Sequence, residues 1–140
     1  MTVALDTNVL QALLEENHIA KVTVSAEFRR LLLLEENFIV CGVVYAECHG
    51  IPNFERSRFR EFLADLGATL DVDLPIAVWE LAGEAQVAYH KRRRREKLLE
   101  PKRVLPDFII GAHALENGAA LLTLDPSGYK VAFPALELLP

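Results

Sequence analysis

Four acidic residues stand at positions where carboxylate chemistry could be built. Asp6 closes a short β-prone run, Glu47 lies inside a short helical stretch, Asp107 follows Pro106 at a helix start, and Asp125 follows the apolar run 119–123. Carboxylates gathered in one place repel one another, so one of them tends to keep its proton unless a cation is present. The cations that suit such a set are Mg²⁺ or Mn²⁺, hard ions that prefer carboxylate and water oxygens. His49, His90 and His113 show no spacing that makes a softer metal site, and His113 is expected to be a packed or rim residue. Each acid also has an ordinary structural use. Asp6 and Asp107 would serve as helix N-caps, and Asp125-Pro126-Ser127-Gly128 reads as a turn.

Whether the four acids meet depends on the elements that carry them. Phe108, Ile109, Ala112 and Leu115 keep helical spacing until Asn117-Gly118 supplies a stop, and the following apolar run is short enough for a buried strand. A helix of about eleven residues and a strand of about five each span roughly 17 Å, so folding the strand back beneath the helix brings Asp125 beside Asp107. Strand is expected over 2–5, 38–41 and 68–72. Helices are expected after Asp6, over 21–34, over 43–49, around Phe59 to Leu66, and from Pro75 into the arginines, with Gly42 as a turn. Strands separated by helices argue for βαβ units and a parallel sheet covered on both faces, whose strands end at one ligand-binding edge. Asp6, Glu47, Asp107 and Asp125 would converge there.

The 140 residues, 51% of them hydrophobic, suffice for one compact domain spanning 1–140 with a real core. No apolar run approaches the eighteen or so residues needed to cross a bilayer, and the start of the chain carries Asp6 and no basic leader, so a cytoplasmic protein without a membrane is expected. Cys41 and Cys48 fit reduced, buried thiols. The net charge of −5 conceals an asymmetry: residues 91–103 hold eight basic and two acidic side chains, a local +6 that leaves −11 for the remainder. An acidic body with one basic strip excludes a general DNA-coating protein and fits either the guiding of a polyanion or a merely solvated helix end.

ALDTNVL at the start, VVYAEC in the middle and PDFIIGAHALENGAALLTLD towards the end resemble the three signature regions of the PIN-domain family, most closely the VapC toxins of prokaryotic toxin-antitoxin pairs. The resemblance implies a three-layer α/β/α domain with a central, mostly parallel sheet and a metal-dependent endoribonuclease activity. By position, Asp6, Glu47, Asp107 and Asp125 match the family's acidic quartet, and Thr7, Asn8 and Thr123 match its polar supports. Arg92, Arg93, Arg94, Arg95 and Arg103 become candidates for phosphate contacts on RNA. A homodimer and a small antitoxin partner are implied in the same way. One or two Mg²⁺ or Mn²⁺ ions would let water attack a phosphodiester and leave a 5′-phosphate.

Two other readings compete: a PIN-fold nuclease of RNA processing without a toxin role, and a module that keeps the fold and only binds RNA or protein. A complete acidic quartet argues against the second, since binding a polyanion alone gives no reason to gather negative charge. A haloacid dehalogenase phosphatase would need a second Asp where this chain has Asn8.

Overall fold

A computed structural model describes residues 1–96 and 105–139. The elements run β1 (Thr2–Leu5), α1 (Thr7–Leu14), α2 (Lys21–Leu33), β2 (Asn37–Cys41), α3 (Gly42–Cys48), α4 (Arg56–Asp65), β3 (Thr69–Asp71), α5 (Ile76–Glu96), α6 (Leu105–Glu116), β4 (Ala120–Leu122), α7 (Ser127–Ala132) and β5 (Leu138–Leu139). The strands form one sheet in the order β3-β2-β1-β4-β5, with every neighbouring pair parallel. The architecture is the expected α/β one, and the sheet is parallel throughout.

The sequence explains the layering. Val3, Ala4, Leu5 and Ala120, Leu121, Leu122 are continuous apolar runs without polar alternation, and all six are buried, as strands covered on both faces must be. The chain steps from β1 to β2 to β3 in one direction, then crosses back to lay down β4 and β5 on the other side of β1. With right-handed crossovers that reversal sends α1 to α4 to one face and α5 to α7 to the other. Accordingly α1 packs on α2 and α3, while α5 packs on α6 and α6 on α7. The core between them includes Leu10, Leu31, Phe38, Val44, Ile110 and Leu121, each almost wholly removed from water. Burying a side chain of this kind contributes about 1.5–3 kcal/mol.

Two expectations are corrected by the backbone. Gly42 does not make a turn: it is the first residue of α3, which starts directly from β2. A Cβ there would lie 3.3 Å from the Val72 Cα, so glycine permits the end of β3 to approach. Asp107 lies inside the first turn of α6, one residue after Pro106. The anticipated stop is present, with Gly118 at φ 62°, a conformation glycine adopts without steric cost. Helix α7 and the two-residue β5 had no counterpart in the expected element order.

The reversal between β1 and β4 creates the point at which helices depart to opposite faces. In open α/β sheets the crevice beyond the strand C-termini at such a switch is where ligands are held. Asp6 directly follows β1, and Thr123 directly follows β4, so the fold places both at that crevice.

Candidate functional site

Asp6, Glu47, Asp107 and Asp125 line one open cleft together with Thr7, Asn8, Gln11 and Tyr129. The helix-and-strand length argument thus succeeds for Asp107 and Asp125, although β4 is only three residues long. Asp6 is the buried member, 5% exposed. Glu47 and Asp125 are exposed, and Asp107 is half-buried.

Asp6 both caps α1 and lines the cleft. Its extended backbone and the bond from the Thr7 N–H to its Oδ1 (2.7 Å) make it the cap of α1. Its Oδ2 accepts from the Thr123 hydroxyl at 2.8 Å and from the Tyr129 phenol at 3.0 Å. Burial pushes its carboxyl above the ordinary carboxylate range, and the nearby charge of Asp107 adds to the rise. The hydrogen bonds from Thr123, Tyr129 and the Thr7 N–H pull the other way without reversing it. This is the behaviour expected of a buried acid, with the neighbouring carboxylate the least of the causes.

The polar residues singled out from the sequence each hold part of this arrangement. The Thr7 hydroxyl donates to Glu47 Oε1 at 2.7 Å, joining α1 to α3. Asn8 spans the switch point: its amide Nδ2 donates to Thr123 Oγ1 at 3.3 Å and its Oδ1 accepts from the Leu124 N–H at 3.1 Å. Thr123 Oγ1 also accepts from the Asp125 N–H at 3.1 Å, and Ser127 Oγ donates to Asp125 Oδ1 at 3.2 Å.

The donor set suits a particular kind of ion. Among the described residues no three His, Cys, Asp or Glu side chains form a ready-made cage for a metal. The carboxylates line a shared cleft instead, which fits Mg²⁺ or Mn²⁺: Mg²⁺ keeps several waters and is commonly held by one or two carboxylates plus substrate phosphates. It does not fit an all-protein site of the zinc type. Cys41 and Cys48 are buried and free. Burial raises both thiols, Cys48 to about 12, which makes them inert packing groups.

The basic strip is divided. Arg92, Arg93, Arg94 and Arg95 occupy the last turns of α5. Arg92 and Arg93 lie over the Tyr89 ring at 5.4 and 5.7 Å, whereas Arg94 and Arg95 are exposed, the latter 3.7 Å from Glu96. Tyr89 in turn meets Phe108 at 5.5 Å between ring centroids, so the strip begins near the Asp107 end of α6. Arg103 lies outside the described residues. His113 is a packed residue: it is 1% exposed, and its Nε2 meets Asp71 Oδ2 at 2.9 Å.

Tyr129 and Gln11 reach the cleft without having been singled out. Gln11 follows Thr7 by four residues on α1, a spacing that places both on one face and could have revealed it. Tyr129 comes from α7, whose six residues carry no readable period. Its phenol, buried and beside the charges of Asp6 and Asp107, stays protonated well above the usual tyrosine range and so remains a donor.

Comparison with known proteins agrees with this fold. The family described as "PIN domain" matches residues 3–134, while no curated protein matches the chain. The fold is similar to that of VapBC2 from Rickettsia felis, solved bound to a DNA fragment from its promoter: TM-score 0.68 and 19% identity, over 99% of this chain and 98% of that one. FitAcB from Neisseria gonorrhoeae gives TM-score 0.67 and 19% identity, over 99% and 96%. A toxin-antitoxin complex from Klebsiella pneumoniae gives 0.59 and 20%, again over 99% and 96%.

Proposed function

The chain belongs to the PIN domain family, and from that premise we propose that it is a metal-dependent endoribonuclease and the toxin of a toxin-antitoxin pair. The observation that carries the reading is the common cleft of Asp6, Glu47, Asp107 and Asp125, four acids from distant stretches of the chain, with Asp6 biased towards keeping its proton. A structure of similar fold from Klebsiella pneumoniae is described as a toxin-antitoxin complex, which supports a small antitoxin as the partner. A homodimer and a cytoplasmic location belong to the same reading. No described helix is long and apolar enough to cross a membrane.

In this reading Asp6 and Asp107 would hold Mg²⁺ or Mn²⁺ directly, with Glu47 and Asp125 contributing directly or through water. The bound cation supplies activation of water for attack on a phosphodiester and neutralises charge on the leaving 3′ oxygen. The chain's own residues position the participants. Thr7 fixes Glu47, Thr123 fixes Asp6, and Asn8 keeps the ends of β1 and β4 in register. Arg94 and Arg95 draw the RNA backbone towards the Asp107 side of the cleft through charge, with little sequence information.

Asp107→Asn should lower Mn²⁺-dependent RNA cleavage by at least a hundredfold while leaving the fold intact, since it removes a metal ligand and leaves the buried core alone. Cleavage products should carry 5′-phosphates. Undiminished cleavage by the variant would show that the reaction occurs elsewhere. Expression of the active chain should arrest growth, with rescue by a co-expressed small protein from the adjacent reading frame. Growth without arrest would favour an RNA-processing role.

A further inference from the structure

We propose that Tyr129 is a positioning residue that confines Asp6 to one-oxygen binding of a divalent cation, and thereby favours a small six-coordinate ion such as Mg²⁺ over Ca²⁺. The inference rests on the reading of the acidic cleft as a metal site, and it concerns which ion that site accepts.

The grounds are an account of lone pairs. A carboxylate offers about four acceptor sites, two on each oxygen. Thr123 has a single hydroxyl proton. Its oxygen already accepts from the Asn8 amide and the Asp125 N–H, so that proton goes to Asp6 Oδ2. The Tyr129 phenol donates to the same oxygen. Oδ2 is therefore filled, while Oδ1 accepts the Thr7 N–H and retains one direction. A cation reaching Asp6 from the cleft binds through Oδ1 alone.

Carboxylate denticity matters to the choice of ion. Ca²⁺ takes six to eight oxygens and readily accepts both oxygens of one carboxylate, whereas Mg²⁺ demands near-octahedral geometry and retains water. Two hydroxyls locked on Oδ2 oppose the first arrangement and suit the second. The Tyr129 ring is held in place by its own packing. It is 3% exposed, and it sits where α6 carries Gly111, at which a Cβ would come within 3.2 Å of the Tyr129 Cδ1.

The test is Tyr129→Phe, which keeps the ring and removes the hydroxyl. Binding of Mg²⁺, Mn²⁺ and Ca²⁺ to the full chain without RNA is followed by titration calorimetry, together with the unfolding temperature without metal. The wild type should prefer Mg²⁺ to Ca²⁺. The variant should lose about tenfold of that preference, the lower end of what removing a partner that orients a metal ligand costs. Thr123→Val opens the same oxygen and should shift the ratio in the same direction, so it carries the test if Tyr129→Phe does not fold. An unchanged Mg²⁺ to Ca²⁺ ratio beside a lowered metal-free unfolding temperature would make Tyr129 a packing residue and overturn the proposal. Wild-type protein that binds none of the three ions would overturn the metal reading beneath it.

Discussion

Asp6 combines two demands that usually fall on different residues: it caps α1 through Oδ1 and faces a crowded acidic cleft while almost wholly buried. Its folded-state pKa is raised above the ordinary 3.8, so the folded protein holds this proton where the unfolded chain has released it. The resulting contribution to stability is fully present below the unfolded value and is lost as pH rises through the folded one. In divalent-free buffer, the unfolding free energy of the wild type minus that of Asp6→Asn should therefore fall as pH rises above about 3.8. Urea denaturation across pH measures this, and a flat difference would contradict the raised pKa. At this scale the sequence is informative wherever a side chain adjoins a strand end. Asp6, Thr7, Asn8, Thr123 and Asp125 all belong to such places. Tyr129 does not, because its approach to Asp6 depends on the path of α7 across 123 positions of chain.

Among the elements, α6 and α7 meet at a glycine. A Cβ at Gly111 would stand 2.4 Å from the Phe133 Cε2, closer than real atoms come, and Phe133 is buried. Gly111→Ala should therefore destabilise the protein by about 1–3 kcal/mol, the ordinary cost of overpacking, seen as a lower urea midpoint at unchanged slope. The end of α5 permits a separate test. Arg94→Gln with Arg95→Gln should flatten the salt dependence of RNA binding by about 0.7 in slope for each phosphate that is no longer neutralised; an identical slope would take these two residues off the RNA path. Helices with a clear apolar stripe, such as α4 with Phe59 and Leu63, are legible from spacing alone. Strand β5 is not, since Leu138 and Leu139 are too few to show a period and pair with β4 only because the sheet is already there.

For the molecule as a whole, the acidic cleft makes stability and cation binding one problem. Burial of Asp6 beside Asp107 opposes its charged form in the folded state, and under the proposed function an ion that binds only that state offsets this. Mn²⁺ at a hundred times its dissociation constant should stabilise the protein by about 2.7 kcal/mol, raising the unfolding temperature, and Asp107→Asn should shrink that rise. No rise in either protein would count against a preformed site. The overall charge of −5 gave no hint of this arrangement; the local +6 beside a −11 body did.

The pairing of β1 with both β2 and β4 also bears on how the protein is made. Val3 and Ala4 reach Phe38 and Ile39 early, but Val3 must wait for Ala120 and Leu5 for Leu122. Until β4 is synthesised there is no Thr123 to hold Asp6, no Asp125, and no Tyr129. A chain still growing on its ribosome, with β4 not yet made, lacks the cleft proposed to cut RNA. Under the proposed function, the order of the strands delays activity until β4 and the residues after it have been made, which leaves time for a partner to be present when Asp125 arrives.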